Sequence, residues 1–344
     1  MRPGVLAVSA AVLFMALASA TPAVAAPAPT SEPLCKVTDP RVTELSGLVS
    51  DGQHWYGIND GGSKVQVFVF GHDCKVQKVI GNPLDPFDVE DLARTADGTL
   101  WLSDTGDNKK ARETVALLAV TPQGKTTLYR LTYPDGQHDT EALIMDGKGT
   151  PYLITKDVLG EAKIYRPKAA LSSPGPTALE SVGSLTVHAT DTPGGPVGGI
   201  GTVLVTGAAT SADGKILALR TYTDAYLYSA PDGDVLEGLK RTPVRVPLPN
   251  EKQGEAIAFE PDGTLLSGSE GVGEPIRAVR GAASLVTPAA DTPSGQPGGA
   301  ANSSATAPGT KGGSGVPVLP AAGIVVVVVG GGWFALSKLR KRRT

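Results

Sequence analysis

Cysteine and histidine are nearly missing from this chain of 344 residues, which has two of the first, Cys35 and Cys74, and four of the second, His54, His72, His138 and His188. The histidines are scattered, without the paired spacing of metal ligands, so the sequence offers no zinc centre. Between the two ends no stretch has the period of an amphipathic helix. Nucleotide and hydrolase motifs are missing as well. There is no Gly-x4-Gly-Lys-Ser/Thr loop and no Gly-x-Ser-x-Gly, since Ser267-Gly-Ser-Glu-Gly271 lacks the first glycine. The run Gly194–Gly201 is rich in glycine but has neither the strand-to-helix setting nor the spacing of a dinucleotide site. Net positive charge is lacking too. The formal charge is −3, and setting aside Arg2 and the five cations at the C-terminal end leaves −9. Such a body argues against nucleic acid as a partner and favours metal cations or cationic ligands.

What is present begins with the ends. Met1-Arg2 is a short positive start, Val5–Ala20 is almost wholly apolar, and Ala23-Val-Ala25 is a small-x-small site. Residues 1–25 therefore read as a signal peptide, with Ala18-Ser-Ala20 as a second cut, and 26–34 as a lead-in. At the other end, 316–337 carries no charge and is long enough to cross a hydrocarbon core of roughly 30 Å as a helix. Lys338, Arg340, Lys341, Arg342 and Arg343 follow in the tail 338–344. Cations stay on the cytoplasmic side, so the expected topology is type I with the body outside. Leu319-Pro-Ala-Ala-Gly323 resembles a sortase sorting signal, but Ala322 stands where that signal has the threonine that is attacked, which weighs against cell-wall attachment. Residues 287–315, mostly Ala, Pro, Gly, Ser and Thr, are too poor in apolar bulk to fold and read as a stalk. In an oxidising compartment Cys35 and Cys74 read as one disulfide, stabilising by up to about 4 kcal/mol in the loop-entropy picture.

The remainder, 35–286, repeats itself. Each unit is an apolar strand, an Asp-Gly turn and a second strand, as in Glu44–Asp60, Asp88–Asp104, Asp139–Lys156, Thr206–Arg220 and Gly254–Glu270. Asp-Gly between apolar strands is a hairpin signal, through type I′ turns. The turn aspartates Asp51, Asp97, Asp146, Asp213 and Asp262 recur at intervals of 46, 49, 67 and 49 residues. A period near 45–50 with four strands per unit defines an all-β propeller, with five blades favoured over six and a β-sandwich as the alternative. The long interval places an insertion or loop over Ser172–Gly201. The last unit lacks an outer strand, which the segment Cys35–Val42 can supply. Trp55, Tyr56, Trp101 and Tyr152 are expected between blades.

Alignment of the repeats puts Ser46, Glu90, Glu141, Thr206 and Glu255 at one position on the innermost strands. Three carboxylates aimed at one axis need cations, because like charges raise one another's pKa. Glu90, Glu141 and Glu255, with Asp104, Asp107 and Asn108, are the candidate ligands of Ca2+, a cation that takes six to eight oxygens. Asn59, Asp60, Lys156, Arg220 and Glu270, at the second-strand ends, are the candidate ligand-binding ring of the channel mouth.

Glu44-Leu-Ser-Gly47, Asp88-Val-Glu-Asp91, Asp104-Thr-Gly-Asp-Asn108, Tyr133-Pro-Asp-Gly136, Asp139-Thr-Glu-Ala142, Arg220-Thr-Tyr222 and Gly254-Glu-Ala-Ile257 resemble a group of secreted actinobacterial propellers. That group is similar in turn to phytase-like (esterase-like) and SdiA-regulated propellers. Ser46–Asp60 and the Glu255 region are similar, more weakly, to five-bladed calcium-activated nucleotidases. The expected function is a membrane-anchored envelope module that binds an extracellular small molecule, glycan or protein. The alternative is a Ca2+-dependent phosphoester hydrolase, in which Lys156 and Arg220 hold the phosphate. A third reading makes the inner-ring groups a static network that ties the blades together.

Overall fold

The computed structural model describes residues 30–286. The expected signal peptide, stalk, membrane span and basic tail lie outside the described residues. Among the described residues no helix is long and apolar enough to cross a membrane.

Strand β1 (Glu32–Lys36) comes first, and four-stranded antiparallel meanders follow. The first is β2 (Leu45–Ser50), β3 (Trp55–Asn59), β4 (Val65–Phe70) and β5 (Val76–Asn82). The second is β6 (Val89–Arg94), β7 (Leu100–Asp104), β8 (Val115–Val120) and β9 (Thr126–Thr132). The third is β10 (Thr140–Met145), β11 (Pro151–Thr155), β12 (Glu161–Pro167) and β13 (Thr177–Thr186). The fourth is β14 (Val205–Thr210), β15 (Ile216–Thr221), β16 (Asp224–Ser229) and β17 (Val244–Pro247). The fifth is β18 (Gly254–Phe259), β19 (Leu265–Ser269) and β20 (Pro275–Val279), and β1 pairs with β20 as its outermost strand. A strand from the opposite end of the chain thus completes the last unit. It runs Glu32–Lys36 rather than starting at Cys35, so part of the expected lead-in is strand. Cys35 is bonded to Cys74, in the turn after β4.

Burial explains the arrangement. Each meander is apolar on both faces, and five separate cores form where successive meanders face one another. Ile58 and Val67 meet Leu92 and Leu118 between the first and second. Leu117 and Leu131 meet Leu143 and Tyr165 between the second and third. Ile144 and Ile154 meet Leu217 and Leu219 next, then Leu227 and Val246 meet Ile257 and Leu265. Leu266 and Ile276 meet Leu48, Trp55 and Phe70, which closes the ring. A ring of radially packed meanders is a β-propeller. Trp55 and Tyr152 are buried in these interfaces, and Tyr56 and Trp101 pack against them.

Two details differ from the sequence reading. The hairpin turns are not two-residue type I′ turns. Ser50 pairs with Trp55, leaving four residues between strands, and positive φ falls on the glycine alone (84° at Gly52). The aspartate acts through its carboxylate instead, accepting the N–H two residues on: Gln53 at 2.8 Å from Asp51, Thr99 at 3.1 Å from Asp97, Lys215 at 3.1 Å from Asp213 and Thr264 at 2.8 Å from Asp262. The expected insertion over Ser172–Gly201 contains β13, whose first residues also pair in parallel with the edge of β9 (Thr177 with Leu131). Pro- and Gly-rich flanks masked that strand. The rest is a loop with one 3-10 turn (Gly198–Thr202).

Candidate functional site at the channel mouth

The innermost strands β2, β6, β10, β14 and β18 share a defect. Each slips register against its neighbour at one residue: between Leu45 and Gly47, Val89 and Asp91, Thr140 and Ala142, Val205 and Gly207, and Gly254 and Ala256. The bulged residues are Ser46, Glu90, Glu141, Thr206 and Glu255. A bulge re-aims the side chain it carries, and here all five side chains are buried. The hydroxyls stitch strands together: Ser46 Oγ donates to the Glu90 carbonyl, and Thr206 Oγ1 to that of Gly254 at 2.9 Å. The three glutamates are left facing one another.

Two residues before each bulge lies a second ring position, on the same side of the strand. Asp88 and Asp139 occupy it beside Glu90 and Glu141. The result is two overlapping triads, Asp60/Asp88/Glu90 and Glu90/Asp139/Glu141, each with carboxylate oxygens within 4.8 Å of one another. Glu90 belongs to both. It is 2% exposed, and its Oε1 accepts no hydrogen bond. Gly106 makes room for it, since a Cβ there would strike Glu90 Oε1 and come within 2.7 Å of Asp88 Oδ2. Glu255, 3% exposed, and Glu270 add a second pair of carboxyl groups, bonded to each other through a shared proton. Lys156 Nζ is paired with Glu141 and lies 3.6 Å from Asp139.

The charges respond to this crowding. Burial, then the charges of Asp60 and Glu141, push Glu90 well above the usual carboxylate range. Burial raises Glu141 to about 8 against the pull of Lys156, and raises Glu270 to about 8 with the charge of Asp60 adding to it. Glu255 is raised by burial and then by Glu270. Burial works against the lysine cation, yet Glu141, Tyr222 and Asp139 together hold Lys156 above its ordinary value. The lysine stays charged, and without another cation the carboxylates share protons.

The other expected site residues do different work. Asn59 Oδ1, Asp104 Oδ1 and Ser269 Oγ accept the N–H of Glu44, Asp88 and Gln253 at 3.3, 2.8 and 2.9 Å, so each second strand clasps the entry to its own inner strand. Asp104 also pairs with Arg112 at 3.0 Å. Asp107 accepts the N–H groups of Ala111 and Arg112 at 2.9 and 2.8 Å, and Asn108 is exposed outside the triads. Arg220 is not at the mouth. It is fully buried, and its five N–H donors reach the carbonyls of Thr221, Ala256, Gly268 and Tyr222 and the Glu251 carboxylate at 2.9 Å. Tyr222 holds the ring position instead, nine residues past its turn aspartate, as Asp60 and Gly106 do in theirs. The ring positions Asp60, Gly106, Lys156, Tyr222 and Glu270 lie eight to ten residues past their turn aspartates, whereas Arg220 lies seven past Asp213, so counting from the turns rather than matching strand ends by charge points to Tyr222. The Asp-x-Glu spacing finds Asp88 and Asp139.

Deeper in the channel Asp91 accepts N–H bonds from Leu92, Leu143 and Ala208 at 2.8, 2.8 and 3.0 Å, tying β6, β10 and β14 together at the axis.

No family model matches the chain, and no curated protein matches it. Solved structures are similar at a distance. Virginiamycin B lyase from Staphylococcus aureus is 14% identical over 70% of this chain and 67% of that chain, with a TM-score of 0.36. The soluble aldose sugar dehydrogenase from Escherichia coli is 12% identical over 72% and 98%, TM-score 0.41. A nidogen/laminin complex is 13% identical over 66% and 73%, TM-score 0.38. Likeness at this level carries no argument here, and the fold stands on its own strand pairing.

Proposed function

We propose that the chain is a binding module of the cell envelope: a five-bladed β-propeller, exported and held at the outer surface by its C-terminal segment, whose mouth takes up a hard divalent cation, Ca2+. The observation that carries this is Glu90, buried, shared by two carboxylate triads and left with an unpartnered oxygen in a space that Gly106 keeps open. Burying a carboxylate without a partner costs several kcal/mol. An all-oxygen donor set without histidine or cysteine suits Ca2+ rather than Zn2+. Asp60, Asp88 and Glu90, the triad that Lys156 does not occupy, would hold the ion, whose two charges replace the protons that the carboxylates otherwise share.

Calorimetric titration of the full-length protein, stripped with EDTA, tests this. Ca2+ is expected to bind with measurable heat, and at about 100 times its dissociation constant to add roughly 2.7 kcal/mol and raise Tm by several degrees. Glu90→Gln is expected to weaken binding tenfold or more. Neither heat nor a change in Tm between EDTA and millimolar Ca2+ would end the proposal.

Phosphoester hydrolysis, suggested by the phytase-like resemblance, is the second reading, favoured by Lys156 beside the second triad. It needs cations free to hold a phosphate, and Arg220 has spent all its donors elsewhere. Binding is therefore the leading function.

A further inference from the structure

Around the buried carboxylates of the mouth, which we call the pit, the surface carries exposed apolar side chains. Seven large apolar side chains stand exposed among the described residues: Leu34, Phe87, Val158, Leu159, Val197, Ile200 and Val272. Leu34 is on β1. The other six all lie at the end of the propeller where the inner strands begin: Phe87 precedes Asp88, Val158 and Leu159 follow Lys156, Val272 follows Glu270, and Val197 and Ile200 are on the segment that leads into β14. The opposite face, formed by the Asp-Gly turns, has none of them. A one-sided collection of exposed apolar groups marks an interaction surface.

These loops are built rather than loose. The Phe87 N–H is held by Asp104 at 3.2 Å, and the Arg112 guanidinium lies 4.6 Å from its ring centroid. The turn that presents Val158 and Leu159 is closed by Asp157, which accepts the Leu159 N–H at 2.8 Å. The loop with Val197 and Ile200 is anchored by Thr190 and Thr192, each 2.7 Å from the buried Asp224, and by Gly195 N–H to the Glu251 carbonyl at 2.8 Å. Gly271 and Gly273 bond to the carbonyls of Thr43 and Val37 at 2.9 and 2.7 Å, fixing Val272 between them. Groups held in place in advance lose little entropy on binding.

We infer that this face is the docking surface for a polypeptide segment in which a lysine or arginine is flanked by apolar residues, the cation entering the Glu255–Glu270 side of the pit and its neighbours resting on the apolar rim. The inference rests on reading the chain as a binding module and names the class of its partner. Charge complementarity selects the cation, since Glu255 and Glu270 bond each other through a shared proton that a cation can replace, no protein cation among the described residues is bonded to either, and both lie outside the two metal triads. Position selects a partner that approaches from away from the attachment point. Glu32 pairs with Ala278 and Ala283 bonds to Gly263, so both ends of the described chain leave from the turn face, opposite the mouth.

The test uses the full-length protein in lipid nanodiscs and arrayed nine-residue peptides with lysine, norleucine or glutamate at the centre, flanked by leucine, valine and phenylalanine. Lysine-centred peptides are expected to bind at least tenfold more tightly than the other two. Leu159→Ser, Ile200→Ser and Val272→Ser, all at exposed positions, should each weaken that binding about threefold or more. Glu255→Gln with Glu270→Gln should erase the preference for lysine over norleucine. Equal binding of the three peptide classes, or rim variants that bind as well as the parent, would overturn the inference. So would two other outcomes of rim substitution without a lysine preference: loss of binding to phosphatidylglycerol vesicles, or loss of concentration-dependent self-association. The peptides are measured in EDTA and again in Ca2+. A lysine preference in EDTA with no heat from Ca2+ alone leaves this inference standing and removes the metal. Ca2+ binding without a lysine preference does the reverse.

Discussion

Arg220 and Lys156 both stand near second-strand ends, and the fold uses the two cations in opposite ways. Lys156 reaches the ring position and faces carboxylates; Arg220 opposes Gly207 in the ladder and turns away from the mouth. All five guanidinium donors are satisfied there, which a lysine cannot reproduce. Arg220→Met is expected to destabilise by about 3–5 kcal/mol, because Glu251 is left buried without its counter-charge. In a domain of this size that is a fall in Tm of about 10 °C, read by thermal melting in EDTA. Glu251→Gln added to Arg220→Met should recover part of the loss; no recovery would show that the pair is not the cause. The inner glutamates were legible in the sequence because they share a repeat position with Ser46 and Thr206. Arg220 was not, since its charge suggested the ring while its register, two residues short of Tyr222, was invisible without the ladder.

At the scale of elements, the repeat carried most of the information. Each Asp-Gly turn marks a hairpin, and the apolar strands between turns have nowhere to pack except against the next meander. The bulges were not legible. They arise where five inner strands crowd one axis, a tertiary condition that no local pattern records. β13 was hidden for a different reason, since Ser173-Pro-Gly-Pro176 and Gly194–Gly201 read as loop on either side of it. The closing strand β1 depends on two supports, its ladder with β20 and the Cys35–Cys74 bond across 39 residues. That bond closes a loop whose entropy amounts to about 4 kcal/mol. Replacing both cysteines with serine is expected to lower Tm by about 8–16 °C and to raise proteolysis of the N-terminal strand before the rest. Cleavage first at the loop 187–204 would show that the ring opens elsewhere.

For the whole molecule, the concentration of buried acid at one end sets the response to pH. In the metal-free protein Glu141 and Glu270 are each raised from 4.5 to about 8, so the folded state keeps protons that the unfolded chain has released. Stability from such groups is complete below about pH 4.5 and is lost as pH rises toward 8. Asp39, through its bonds to Arg41, and Asp135, through Lys163 and His138 acting against burial, are held at about 2, so their contribution disappears only in acid, below that window. Tm in EDTA is therefore expected to fall between pH 5 and pH 8. On the proposed reading Ca2+ at the Glu90 triad would favour ionisation of the neighbouring carboxyl groups and would bind better as their protons leave, so saturating Ca2+ should flatten or reverse the trend. Melting curves at several pH values, with EDTA and with Ca2+, separate the cases. A Tm in EDTA that stays level or rises over that range would mean that the carboxylates are already ionised and neutralised by groups within the protein, and the mouth would then have no charge left to offer a ligand.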